Sequence, residues 1–318
     1  MLKPALTTSQ HIALLRQRGM VVDSAQAEQW LNNVGYYRLS AYWYPARQVD
    51  PAPTGRRLDQ FVPGTEFANV AELYEADRKL RTLVHDGMER IEVAVRTQVV
   101  EILCAQHPSN PAFYLSSDSF RSKFAHLQWL QTAYSRLARA GSKSDSVKHH
   151  AKHYSGMFPF WAVAEVLDFR DVSVLYSGLK SRDQRAVAEN LDIFIDFNVL
   201  SDNQKSQVQK SHPFASWLEQ LVLIRNVCAH HSRLWNRTFN PASTSFIRTN
   251  GNLSLLPPGQ NERLFGALQL MSHILRKVSP GTTWPLKILD LVNNAFLPNP
   301  LVSPPSLGIP ASWDARTI

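Results

Sequence analysis

Leu218 to Arg237 reads LEQLVLIRNVCAHHSRLWNR, and its apolar residues recur with the period of a helix. At 100° per residue, Trp217, Leu221, Ile224, Cys228, His231 and Trp235 fall in one narrow sector, the stripe that a helix buries. Glu219, Asn226, His230, Arg233 and Arg237 fall on the opposite side. Arg225 sits near the border, beside Leu218, Val222 and Ala229, where a charged group needs a partner or a substrate. The whole stretch is expected as one helix, with His231 turned to the core and His230 on the polar flank.

Outward from this stretch the chain is helical almost throughout. Thr65 to Gln106 carries a helical apolar period over more than 40 residues, which predicts one very long helix or two with a break near Gly87. Along it run Asp77, Arg78, Arg81, His85, Glu89, Glu92 and Arg96, several of them four residues apart. They form either a solvated charge ladder or a polar seam facing the Arg225 helix or a second subunit. Tyr36 to Tyr44, with five aromatic rings beside Arg38, is expected as a packed aromatic helix rather than as a set of base-stacking rings. Before it, residues 5 to 34 hold two short amphipathic helices, the first capped by Thr7, Thr8 or Ser9. Residues 45 to 65 read as a loop or short hairpin.

Further shorter helices are expected from Ser119 to Arg139, after Phe158-Pro159, from 182 to 191, and ahead of His212. Asn261 to Val278 and Trp284 to Ala295 follow. Gly141 to Gly156 is expected as a mobile basic loop. Its His149, His150 and His153 lack a neighbouring cysteine or carboxylate cluster, so no metal site and no cofactor are expected. Asn240 to Gln260 is long for a loop in a compact domain and is expected to be functional or mobile. The resulting fold class is all-α, an irregular helical bundle. Residues 1–60 read as an N-terminal helical unit, 61–296 as the main domain, and 297–318, rich in proline, as an extended or disordered tail.

The chain has 318 residues, 44% of them hydrophobic, enough for a real core. No stretch approaches the roughly 20 apolar residues of a membrane span, and no secretory leader is evident. A cytoplasmic protein without membrane contact is therefore expected. Cys104 and Cys228 each lie in an apolar helical pattern and read as core thiols. The formal charge of +8 favours a polyanionic partner, of which nucleic acid is the commonest.

If the polar flank meets RNA, cleavage requires a base for the 2′-hydroxyl proton, an acid for the departing 5′-oxygen, and cations for the charged phosphorane. Histidine can serve both proton roles near neutrality, and arginine offers forked donors to phosphate oxygens. On a helix, Arg225 and His230 diverge by about 140°, so a second copy would complete the site about a two-fold axis. Asn226 and His230 lie side by side.

Arg225-Asn226-Val227-Cys228-Ala229-His230 with Ser232-Arg233-Leu234-Trp235 resembles the motif of the Abi-like (AbiD/AbiF type) abortive-infection proteins, of the HEPN superfamily. The resemblance extends to Lys3-Pro4, to Tyr36-Tyr37-Arg38-Leu39-Ser40-Ala41-Tyr42, to Asp77-Arg78-Lys79-Leu80-Arg81 with Ile91-Glu92 and Arg96, and to Pro159, Trp161 and Glu165. It implies a HEPN-type bundle with an N-terminal helical extension, a homodimer, and metal-independent endoribonuclease activity in antiphage defence. An antitoxin, RNA or protein, is a further implied partner. In that reading Arg225 binds the phosphate, His230 transfers protons and Asn226 orients the histidine. Arg233, Arg237, Arg81 and His85 are expected to contact RNA, and Glu92, Arg96 and His231 to support the site. The rival expectation is a non-catalytic RNA-binding module that regulates or scaffolds a defence complex. One departure stands out: Asp168-Phe169-Arg170 occupies the place where the family often has Ser-Phe-Gly.

Overall fold

A computed structural model describes residues 4–52, 55–141, 143–314 and 318. The structure is 62% helical and all-α in class, with two antiparallel sheets of two short strands each among the described residues. In order come α1 (Thr8–Gln17), α2 (Ser24–Asn33), α3 (Tyr36–Trp43), the hairpin β1 (Arg47–Val49) and β2 (Arg57–Phe61), and the long α4 (Phe67–Gln106). Then follow α5 (His126–Ala140), α6 (Asp145–His153), α7 (Phe160–Glu165), α8 (Phe169–Gly178), α9 (Ser181–Asn190), α10 (Asp202–Lys210) and α11 (Phe214–Ala229). Strands β3 (Ala242–Ser243) and β4 (Gln260–Asn261) precede α12 (Leu264–Val278), α13 (Trp284–Leu291) and α14 (Pro304–Leu307). No described helix is long and apolar enough to cross a membrane.

The chain divides into two compact units. The first gathers residues 1–83, 230–237 and 285–318, and the second holds 84–229 and 238–284. These boundaries differ from the expected 1–60, 61–296 and 297–318, because the contacts that define a unit join segments far apart in sequence.

In the first unit, local chemistry sets the helix starts. Thr7 caps α1 in a reciprocal arrangement with Gln10, and Asp23 caps α2 through the Gln26 N–H. Helices α1 and α2 pack together, burying Leu15, Ala27 and Leu31. Of the aromatic run, Tyr42 and Trp43 are buried whereas Tyr37 is 92% exposed, so α3 is mainly a packed aromatic helix, as its amphipathic pattern implies. Of the expected tail, residues 297–314 are neither wholly extended nor disordered, and 315–317 lie outside the described residues. Pro304 and Pro305 occupy the first turn of α14, where a missing N–H costs nothing. Leu307 and Ile309 are buried, Asn299 donates to the Asn69 carbonyl at 2.8 Å, and the Ser306 hydroxyl accepts from the Trp235 indole at 3.0 Å.

In the second unit, α11 is buried on nearly all sides: Phe214, Trp217, Leu218, Leu221, Val222, Ile224, Val227 and Cys228. It packs on α8 and β3. A helix apolar on every side belongs in a core, and the one polar residue deep within it is fully satisfied. Gln220 donates to the Asn240 and Asn261 carbonyls and accepts from the Asn261 side chain at 2.8 Å. Residues 240–260 are thereby pinned rather than loose: Ala242 pairs with Asn261, and Thr244, Ile247, Leu253 and Leu256 are buried. Gly141 to Gly156, expected as a basic loop, contains α6, capped by Ser144. No His, Cys, Asp or Glu group with metal-holding geometry occurs among the described residues.

Helix α4 runs without a break at Gly87. The glycine serves close approach instead, since a Cβ there would lie 2.8 Å from the Trp284 indole and 3.1 Å from Leu275. Replacing Gly87 with Ala should gain up to about 1 kcal/mol in helix propensity and lose about 1–3 kcal/mol to overpacking. A lowered melting temperature is expected on thermal unfolding, and an unchanged or raised one would contradict this packing.

His212, just before α11, is 2% exposed, and its Nδ1 accepts the Phe214 N–H at 3.3 Å. Burial, with Arg185 and Arg121, lowers its pKa from 6.5 to about 4. Between those values the unfolded chain binds the proton and the folded chain does not, so stability falls as pH drops through this window. At about 1.4 kcal/mol per unit, the loss is on the order of 3 kcal/mol. Denaturant unfolding between pH 7 and 4 should show this loss, and His212→Gln should flatten it.

Candidate active site

The residues singled out in the sequence fall in both units, and each unit holds a polar cluster of its own. In the second unit, Arg225 lies three turns along α11, half-buried, with its guanidinium 3.9 Å from the Glu92 carboxylate of α4. Glu92 also receives a hydrogen bond from Arg96 at 2.9 Å, and Arg96 in turn donates to the Leu167 carbonyl at 3.1 Å. The Asn226 side-chain oxygen accepts from Arg225 at 3.3 Å. Burial pushes the Glu92 carboxyl above its usual range, while Arg96 and Arg225 pull it down and Asp168 adds to the upward push. Of the polar seam, then, Glu92 meets the Arg225 helix, and Arg96 is joined to it through Glu92. His85 and Glu89 are exposed.

Arg225 is held loosely. At 3.9 Å, with 35% of its side chain exposed, the pair with Glu92 contributes little energy. The guanidinium therefore keeps donors for another anion, and Glu92 limits its reorientation.

The first unit contains the other half of the motif. Helix α11 ends at Ala229, so the expected helix from Leu218 to Arg237 is cut short. His230 and His231 form a turn, and His231 has φ of 53°, the left-handed conformation at which helices often stop. The 100° spacing ceases to apply there, and His231, expected toward the core, is exposed, as is His230. Trp235, expected on the buried stripe, is indeed fully buried, but by the path of the turn and not by the helix.

What shapes this turn is Asp77, 0% exposed. Its carboxylate accepts from the Leu234 N–H at 3.1 Å and the Trp235 N–H at 2.7 Å. It also accepts from the Tyr42 hydroxyl at 2.6 Å and pairs with Arg81. Burial pushes the Asp77 carboxyl up, opposed by Arg81, Tyr42 and the two backbone N–H groups. With an arginine and three further donors on it, the group is satisfied as an anion. Arg38 of α3 donates to the His231 carbonyl at 2.5 Å, and Arg233 donates to the Ala41 carbonyl while lying over the Trp235 ring. Each end of the turn is thus fastened to α3 or α4.

Two expected RNA contacts are corrected by this arrangement. Arg81 is 5% exposed and spends its charge on Asp77, and Arg233 is half-buried with a backbone carbonyl as partner. Burial lowers the Arg233 pKa, with Tyr42 and Asp77 raising it. Arg237 remains exposed. Asp77 and Arg38, by contrast, carried no assigned role in the sequence. The spacing of four between Asp77 and Arg81 signals their ion pair, but the backbone partners of Asp77 and Arg38 lie roughly 160 to 190 positions away, which no local pattern reveals.

Asp77→Ala removes four acceptor contacts and leaves Arg81 buried without its counter-ion. Loss of one member of a buried pair costs about 3–5 kcal/mol, and a decrease of that size is expected in denaturant unfolding. A change below about 1 kcal/mol would show that the carboxylate is not the tie described.

A family model described as Abi-like protein matches residues 29–236. That span covers well over half of the chain and contains Asp77, Glu92, Arg225 and His230. No curated protein and no solved structure matches.

Proposed function

The chain belongs to the Abi-like protein family, and from that membership we propose that it acts in abortive-infection defence as a metal-independent endoribonuclease of the HEPN type. The observation that carries the reading is the pair Arg225 and His230, separated by four residues of chain. The first is a loosely held guanidinium and the second an exposed imidazole on a fastened turn. Immobile support beneath an accessible side chain is what a proton-transfer group needs, because effective catalysis depends on a fixed geometry.

In the proposed reaction the RNA 2′-hydroxyl loses its proton to a base and its oxygen attacks the adjacent phosphorus. The bond from phosphorus to the 5′-oxygen breaks, and that oxygen takes up a proton. The products are a 2′,3′-cyclic phosphate and a 5′-hydroxyl end. His230 serves in proton transfer, and Arg225 donates to the non-bridging oxygens as negative charge builds on them. Asn226 accepts from Arg225 and so restricts its guanidinium. One imidazole cannot be both base and acid at the same instant, so a second copy of the chain supplies the partner groups, and the active species is a homodimer. The excess of positive charge draws the polyanion to the protein. Growth arrest by RNA cleavage is the corresponding defence, with an antitoxin to restrain it.

Incubation of total RNA with purified protein in EDTA tests activity and metal independence together, and mapping the ends tests the chemistry. His230→Ala and Arg225→Ala should each reduce the cleavage rate at least a hundredfold, with circular dichroism unchanged. Cleavage at the wild-type rate by the His230 variant would refute the assignment. Salt-dependent RNA binding without cut ends would instead establish a non-catalytic RNA-binding module.

A further inference from the structure

The second unit holds a cavity of about 430 Å³ that the proposed ribonuclease chemistry does not use. Its apolar surface comes from Phe197 and Val208, its cations are Arg182 and Arg185, and Ser181, Gln209 and His212 supply polar groups. The volume lies within the range of about 300–1,000 Å³ usual for small-ligand sites.

The walls are built rather than accidental. Phe197 packs on the buried cluster of Ile195, Leu200 and Val208, which fixes its ring. The Arg185 guanidinium lies over that ring, 4.6 Å from its centre, and is held there by Glu189 at 2.7 Å. Together they make a flat surface of the kind on which bases stack. Arg182 has a side chain 72% exposed, tethered by Asp183 at 3.2 Å and by the Gln106 side chain at 2.8 Å. Behind the wall, Arg121 donates to the Leu179 carbonyl and to the side chains of Ser181 and Gln184. Three arginines therefore stand against two carboxylates.

His212 reports the resulting potential: it is 2% exposed, and Arg185 and Arg121 both oppose its protonation. Because its Nδ1 accepts the Phe214 N–H, the ring proton resides on Nε2, a donor on a residue that lines the cavity.

We propose that this cavity binds a phosphorylated nucleoside. Arg182 addresses the phosphate, the guanidinium of Arg185 stacked on Phe197 takes the base, and Ser181, Gln209 and His212 line the remaining polar edges. A bare inorganic anion would leave the Phe197 and Val208 surfaces unused, and a neutral apolar ligand would leave the excess of three arginines over two carboxylates unbalanced. The ligand is either a free mononucleotide or a phosphorylated RNA end, which share this chemistry.

Calorimetric titration of the full chain at low salt with adenosine 5′-monophosphate, adenosine, inorganic phosphate and a 5′-phosphorylated trinucleotide tests the assignment. The monophosphate should bind saturably with a submillimolar Kd, and adenosine and phosphate at least tenfold more weakly. Arg185→Gln and Phe197→Leu should each weaken binding at least tenfold, and the leucine keeps the apolar packing beneath it. Arg225→Ala and His230→Ala should bind as wild type, which separates this site from the ribonuclease reading. Trinucleotide binding at least tenfold tighter than the mononucleotide identifies the RNA end, and equal or weaker binding identifies the free nucleotide. No saturation with either phosphorylated compound, equal binding by the Arg185 and Phe197 variants, or phosphate binding as tightly as the monophosphate would overturn the proposal.

Discussion

A carboxylate placed out of reach of water must find its donors within the protein, and Asp77 finds four of them in three separate segments. A lone buried charge would cost several kcal/mol. The cost is offset only if Tyr42, Arg81 and the Leu234 and Trp235 N–H groups all converge on it, so the residue imposes a specific path on the chain around it. That path takes α11's continuation out of helical geometry and through the His230 and His231 turn. It also brings Trp235 into the core of the first unit, where Ser306 of the proline-rich segment receives its indole N–H. Ser306 is placed for the same reason that the turn is: each offers a partner to a group that would otherwise be buried unpaired.

The second unit depends on a different constraint, the near-complete enclosure of α11. Its apolar residues face neighbours on nearly every side, and Gln220, the one polar residue deep inside it, is tied to the segment at 240–261. Enclosure leaves few places on α11 where a charge can emerge. Arg225 emerges beside Glu92 and Arg96, and the incomplete contact with Glu92 leaves its charge available for use. A tight, buried ion pair at the same position would have made Arg225 a structural residue, as the pairing with Asp77 makes Arg81.

The two proposed activities draw on contrasting kinds of arginine. Arg225 is loosely paired on a rigid helix, which suits transient stabilisation of charge during a reaction. Arg185 is stacked on Phe197 and tethered by Glu189, which suits a fixed surface for recognition. Arg81 and Arg233 show the third use, in which a buried or half-buried guanidinium is tied to a carboxylate or to backbone carbonyls. Charge counts alone do not distinguish these cases, because the distinction lies in what each guanidinium touches.

Much of the architecture was legible in the sequence. The period of apolar residues marked α4, α11 and α12, the N-cap residues marked α1, and the near absence of alternation marked an all-α protein, because these features depend on neighbours within a turn or two. The Arg225 to His230 motif was legible too, as a resemblance in residue order that the family match over residues 29–236 confirms at the level of the family. What tertiary structure alone decided was where α11 stops, that both histidines are exposed, and which arginines are tied to buried partners. The helical wheel extended past Ala229 because nothing local forbids it; a carboxylate 157 residues upstream of Leu234 does. Long-range partners of buried polar groups leave no periodic trace, so the polarity of a residue is written in the sequence and its availability is not.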